Sequence, residues 1–169
     1  GLSMSASRNT VASAYCAFTC AVLVWSWQEI AFLLGYVTGA RRSECPPGSR
    51  GWQRVRHATE AILHHEMALI LLAFMVFAVS WNKPNQTGWW TYLVLWTMRL
   101  SAKLNLFLGV RNLSENFLPA HLSYLQSYFT RRSWNWLMPF SVTASTAVLV
   151  PMWMAVAMQP ADGFAATSL

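Results

Sequence analysis

The chain has 169 residues, 55% of them hydrophobic and only 11% charged, with twelve Lys and Arg against six Asp and Glu for a net charge of +6. A soluble domain carries about 25% charged residues, so this balance excludes an ordinary soluble enzyme, and the long unbroken apolar runs exclude an outer-membrane barrel with alternating strands. The basic excess does not mark a nucleic-acid partner, because the arginines flank hydrophobic segments; the lipid bilayer is the partner that the composition implies.

Four segments reach the roughly 20 apolar residues that a bilayer crossing needs. The expected fold is all-α: one polytopic membrane helix bundle over residues 1–169, with transmembrane helices at about 11–37, 58–81, 88–110 and 134–158. The first span carries Glu29. The loop that follows, 38–57, contains Arg41 to Gly51, RRSECPPGSRG, and reads as an irregular turn rich in proline and glycine. The second span holds Glu60, His64, His65 and Glu66 in its first half. The third opens on paired tryptophans yet carries Arg99, Lys103 and Asn105 well inside.

Beyond it, loop 111–133 contains Phe117 to Phe129, in which Pro119 suits a first helical turn. Leu118, Leu122, Leu125 and Phe129 then share one face, which predicts an amphipathic helix lying in the interface or packed over the bundle. Pro139 and Pro151 fall in the fourth span. The two long loops carry eight arginines (Arg41, Arg42, Arg50, Arg54 and Arg56; Arg111, Arg131 and Arg132), whereas the other connections carry only Arg8 and Lys83. The positive-inside rule therefore places both long loops and the amphipathic helix in the cytoplasm. Asn85-Gln-Thr and Asn112-Leu-Ser match a glycosylation pattern without further support.

A charge at mid-membrane costs between about 2.5 and 17 kcal/mol, so Arg99 and Lys103 need partners. A helix rises about 1.5 Å per residue; counted inward from the cytoplasmic ends, Glu29 lies ~14 Å deep, Glu66 ~12 Å, His65 ~10 Å, Lys103 ~10 Å and Arg99 ~16 Å. Arg99 and Lys103 are one turn apart and share a face. These depths predict a structural ion layer of Glu29, Glu66, Arg99 and Lys103, and Asn105 of the same span is assigned to it.

The Glu60–His64–His65–Glu66 cluster admits other chemistry. A di-iron site would need Glu-x-x-His pairs, and none occurs. A zinc hydrolase would present HExxH, whereas the stretch reads HHEMA. His65 and His64 are candidate axial ligands for a haem iron or a chlorophyll magnesium. The plainer alternative is that all these groups hydrogen-bond within the bundle.

TMRLSAKLNLFLGVRNLSENFLPAHLSYLQSYF at Thr97 to Phe129, with Asn135 and PFSVT at Pro139 to Thr143, resembles the PuhE family of purple phototrophic bacteria. AYCAFTCAVLVWSWQEIAFLLGYVTG at Ala14 to Gly39, the CPPG turn, HHEMAL and the PNQ run extend the similarity over nearly the whole chain. The usual length of that family implies further hydrophobic segments upstream, so the chain is expected to be a C-terminal portion. The resemblance implies a photosynthetic complex assembly factor in the bacterial inner, intracytoplasmic membrane. Its implied partners are reaction-centre and light-harvesting subunits. It implies no catalytic residue and no metal, so an enzyme is not expected; bacteriochlorophyll is the one cofactor it brings into view. An accessory subunit of the mature complex, or a membrane enzyme using the His/Glu cluster, are the alternatives.

Overall fold

The structure is a computed structural model and describes residues 1–111 and 118–158, the last four by backbone alone. Its regular elements are helical: α1 Leu2–Ala6, α2 Val11–Leu33, α3 Gly51–Ser80, α4 Thr87–Leu108, a 3₁₀ segment Ala120–Tyr128, and α5 Leu137–Met158. Among the described residues, three helices are long and apolar enough to cross a membrane: α2, α3 and the part of α5 over Leu137–Met154. Arg99, Lys103, Asn105 and several aromatic and hydroxyl residues hold down the hydropathy of the 22-residue α4.

The start of α2 is set by a reciprocal cap. The Thr10 hydroxyl accepts from the Ser13 N–H at 3.2 Å, and the Ser13 hydroxyl accepts from the Thr10 N–H at 3.0 Å, which satisfies donors that a helix start leaves open. Along one side of α2, Ala14, Ala17 and Ala21 are buried and small. They let α4 approach closely: a Cβ on Gly88 would stand 3.3 Å from the Ala17 carbonyl oxygen and 2.5 Å from the Leu2 side chain. α1 therefore closes over the α2–α4 contact.

α2 ends at Leu33, four residues before the apolar run does, because the chain turns at Gly35 with φ +80°. His121 from the 3₁₀ segment sits on that end, its Nε2 2.9 Å from the Leu33 carbonyl oxygen. The chain then lies directly on α3. A Cβ on Gly39 would stand 2.2 Å from the Glu60 carbonyl oxygen, so only glycine fits this approach. Here the His65 N–H donates to the Thr38 carbonyl at 2.8 Å, and the Arg41 N–H donates to the Glu60 carbonyl at 3.2 Å.

α3 begins at Gly51, seven residues ahead of the apolar run, since nothing from Trp52 to His57 breaks a helix. That extra length carries Arg54 to the far end of α4. Its guanidinium donates to the Phe107 carbonyl at 3.2 Å, the Tyr128 carbonyl at 2.7 Å and the Thr130 hydroxyl, and lies 4.3 Å over the Phe107 ring. The Phe107 carbonyl is one of the last in α4, so Arg54 both pairs a terminal acceptor and favours the negative end of the helix dipole.

The amphipathic α-helix expected over Phe117 to Phe129 takes another form. Phe117 lies outside the described residues, as does Asn112, and Ala120–Tyr128 is 3₁₀. The face accordingly repeats every three residues: Leu122, Leu125 and Tyr128 are buried, with Phe32 and Ala61 beneath them. The Tyr128 hydroxyl donates to the Ser43 carbonyl at 3.0 Å. Burial pushes this phenol above its usual range, and the nearby Arg41 guanidinium opposes the shift.

At the opposite end of the bundle a second polar knot forms around Asn85, whose side chain is 1% exposed. Its amide donates to the Ser5 carbonyl at 3.1 Å, and its side-chain oxygen accepts from the Thr87 N–H at 3.1 Å. Asn85 therefore joins α1 to the α3–α4 turn, and buried in this way it presents nothing to a glycan. Exposed tryptophans mark both ends: Trp81 and Trp90 beside this turn, and Trp52, Trp134 and Trp136 at the other.

Candidate functional site

The polar residues inside the bundle meet where α2, α3 and α4 face one another. On α2, Gln28 and Glu29 are turned inward. His65 on α3 is fully buried, its backbone held by the Thr38 carbonyl. On α4, one helical turn separates Arg99 from Lys103.

Glu29 and Arg99 form one ion pair, with Arg99 Nη2 2.9 Å from Glu29 Oε2. Glu66 and Lys103 form another, with Lys103 Nζ 2.5 Å from Glu66 Oε1. Two carboxylates thus stand against two cations, and the layer carries no net charge. Both pairs keep part of their side-chain surface open, 29% for Arg99 and 15% for Lys103. That is the acceptable form of a buried pair, because an unpartnered member would carry the full desolvation cost.

His65 sits beside this layer. Its Nδ1 is 3.5 Å from the Gln28 amide nitrogen, and its Nε2 is 3.4 Å from Glu29 Oε1. The Gln28 amide nitrogen can only donate, so this contact makes Nδ1 the acceptor and favours the tautomer with the ring proton on Nε2, toward Glu29. The latter approach lacks hydrogen-bond geometry at both atoms, so the contact is electrostatic. The Phe32 ring packs 4.4 Å from the imidazole and 5.8 Å from Lys103 Nζ.

The sequence cluster Glu60–His64–His65–Glu66 is thereby divided. Glu60 sits in the polar first turns of α3 and faces the preceding loop, with Arg56 Nε 2.8 Å, His57 Nδ1 3.5 Å and the loop's Arg41 Nη1 3.7 Å from its carboxylate. His64 is exposed on the outer face of α3. His65 and Glu66 alone turn toward the other helices. Asn105 also parts from the charges: its amide donates to the Ser101 carbonyl at 2.9 Å and approaches the Ser141 hydroxyl of α5 at 3.4 Å. Among the described residues, no three His, Cys, Asp or Glu side chains converge on a point that could hold a metal ion.

A partly open cleft of about 110 Å³ adjoins the layer, between α3, α4 and the 3₁₀ segment. Arg99 and Lys103 stand in its wall, and the rest is almost wholly apolar, including Phe32, Ile62, Leu106 and Phe129. Sequence reasoning did not anticipate Gln28, Phe32, the Thr38–Gly39 seat or Ser141. Of these only Gly39 left a local signal, and its meaning depends on a segment 21 residues further along the chain.

Comparison with known proteins adds the following. A family model described as "Protein of unknown function (DUF3623)" matches residues 1–169. The chain is 41% identical over 142 residues to a protein of Rhodobacter capsulatus described as "Uncharacterized 30.4 kDa protein in puhA 5'region". That match covers 84% of this chain and 52% of the relative, so the chain spans about half the length of the curated relative it matches. No solved structure matches.

Proposed function

Because this chain belongs to the DUF3623 family, we propose that it is a membrane scaffold that assembles or stabilises the photosynthetic reaction centre and its light-harvesting complex, without catalysing a reaction. The observation that carries this reading is the place of its relative, a protein of the puhA 5′ region within a photosynthesis gene cluster. The resemblance to the PuhE proteins points the same way. So does the ion layer: its charges are satisfied by one another, as in a group that holds helices together.

In this reading α4 is a fourth span, admitted to the bilayer because Glu29 and Glu66 neutralise its cations. Both arginine-rich loops, with the 3₁₀ segment, face the cytoplasm of an intracytoplasmic photosynthetic membrane. Reaction-centre and light-harvesting subunits pack on the outward apolar surface, of which α5 is the largest continuous part. An accessory subunit of the finished complex would use the same surface and differ only in how long it stays.

The test removes the gene from its host and compares reaction-centre and light-harvesting absorption in isolated membranes, alongside co-purification on the tagged full-length protein. Reduced absorption, restored by the intact gene, and co-purified reaction-centre subunits are expected. Unchanged absorption with no co-purified subunit would overturn the scaffold reading. Stoichiometric iron or zinc in the pure protein would replace it with an enzyme.

One observation favours pigment handling as a second reading, and it concerns His64 rather than His65. A magnesium ligand needs a free imidazole nitrogen. Both ring nitrogens of His65 face α2 side chains, whereas His64 lies exposed on the outer face of α3. Bacteriochlorophyll that co-purifies with the protein and is lost in His64→Ala would support this reading; its retention would remove it.

A further inference from the structure

We propose that the cleft between α3, α4 and the 3₁₀ segment is a binding site for the head of a neutral, carbonyl-bearing apolar molecule, whose oxygen accepts hydrogen bonds from Arg99 and Lys103. The inference does not depend on the assembly role, but it rests on the reading of α4 as a membrane span. It begins from a mismatch between charge and donors. Two cations meet two carboxylates, so the layer is neutral and gives no reason to hold an anion. The donors are not balanced in this way. A guanidinium offers five N–H groups and an ammonium three. Among the described residues Arg99 pairs with Glu29 and Lys103 with Glu66, one polar contact each. Among the described residues the Arg99 Nε has no hydrogen-bond partner.

In a bilayer, surplus donors have no water to turn to, and each one left open is costly. Both side chains line the cleft and both keep exposed surface. A ligand that brings acceptors without charge would satisfy them and leave the ion pairs intact. The remaining wall, from Phe32, Ala58, Ile62, Leu106 and Leu125, suits an apolar body.

Size narrows the ligand class. The cleft is about 110 Å³, somewhat below the ~150 Å³ of an apolar protein cavity that accepts benzene. One ester group, or the carbonyl side of a six-membered ring whose far edge stays in the open mouth, fits that space; a tetrapyrrole macrocycle does not. Because the cleft is partly open, a tail can leave it toward lipid. A quinone and a lipid ester share this chemistry, and the experiment separates them.

The full chain would be purified in dodecyl maltoside, a detergent without a carbonyl, and its thermal midpoint followed with four probes. These are a short-tailed benzoquinone, methyl laurate, laurate and dodecane. The quinone, the ester or both are expected to raise the midpoint by about 5–10 °C at a hundred times Kd, and whichever does so identifies the source. Equilibrium dialysis gives the affinity directly. Ala58→Phe fills the cleft without touching a charge and should weaken the active probe at least about tenfold. Arg99→Lys keeps the charge opposite Glu29 but loses the planar donor fork; losing one such bond should weaken carbonyl probes about tenfold and leave dodecane unaffected. An equal shift with dodecane would overturn the proposal in favour of a purely apolar hole. A stronger shift with laurate would make the site an anion site, and no shift with any probe would mean that water fills the cleft.

Discussion

α4 and α5 have the same length, 22 residues, and opposite fates. α5 is the more apolar helix, yet none of its membrane-length window is buried within the chain. α4 carries two cations and an asparagine, and it lies at the centre, bound to α2 and α3 by ion pairs and small-residue contacts. In water the order would be reversed, with the apolar helix inside. Lipid is as apolar as leucine, so an apolar helix gains little by leaving it, and polar groups become the reason for helices to associate. Charge therefore marks the inside of this protein, and a bare apolar surface marks its outside.

Three substitutions break that contrast, and the strongest removes the central cation. Arg99→Leu makes α4 resemble α5 and strands Glu29, whose other neighbour, His65, makes only an electrostatic contact. Leaving one member of a buried pair alone costs about 3–5 kcal/mol. The expected outcome is loss of the protein from membranes, measured by immunoblot against an equally expressed parent. Normal accumulation would show that the layer is not what holds α4 in place.

A close second is Gly39→Ala, which leaves every charge in position and disturbs the seat beneath His65. The added Cβ would stand 2.2 Å from the Glu60 carbonyl oxygen and 2.5 Å from that of Ala61. These are backbone atoms, so neither can swing away. Overpacking of this kind costs about 1–3 kcal/mol or more. A lower thermal midpoint with unchanged membrane insertion is expected; an unchanged midpoint would mean that the α2–α3 loop is free to lift off.

Lys103→Leu is expected to cost less than Arg99→Leu, about 1–3 kcal/mol, because Glu66 keeps 20% of its side-chain surface exposed and can be solvated there. The double exchange Glu66→Lys with Lys103→Glu sharpens the same point. It restores opposite charges across α3 and α4, so it should recover much of the accumulation that either single exchange loses. Failure to recover would mean that Lys103 is held by its position over Phe32 and the cleft rather than by Glu66.

What was legible in the sequence follows the same division. Helix content, the approximate limits of the apolar runs and the opposed depths of Glu29, Glu66, Arg99 and Lys103 all derive from one-dimensional counting of hydrophobic residues and rise per residue. Helix ends were less legible, since α2 stops at a glycine inside its apolar run and α3 starts in polar sequence. The 3₁₀ segment was hidden for a different reason. Leu118, Leu122, Leu125 and Phe129 fit a period of 3.6, whereas the buried set Leu122, Leu125 and Tyr128 fits a period of three, and so short a stretch satisfies both patterns. Contacts such as Gln28 with His65, or His121 with the end of α2, join residues 37 and 88 positions apart and leave no local pattern. Asn105 was grouped with the charges because it lies in the same span, but its direction round α4 sends it to α5 instead.

That last contact offers the finest test of the contrast between the two helices. The Ser101 hydroxyl donates to the Ser141 hydroxyl at 2.8 Å, and Ser141 in turn donates to the Leu137 carbonyl at 2.7 Å. Among the described residues, apart from the Asn105 approach and the Asn135 side chain just ahead of α5, which donates to the Gly109 carbonyl, this is the polar link between α5 and the rest of the bundle. Interhelical hydrogen bonds in membranes average about 0.6 kcal/mol, so Ser141→Ala should barely move the thermal midpoint. Its effect should appear in where α5 sits. A disulfide between Ser101→Cys and Ser141→Cys would form readily in the parent geometry and hold α5 against α4. If subunits dock where α5 meets lipid, the crosslinked protein should still capture them. If α5 must swing away to admit a partner, crosslinking should abolish capture and reduction should restore it. Either result fixes whether this apolar helix is a wall of the bundle or a movable face.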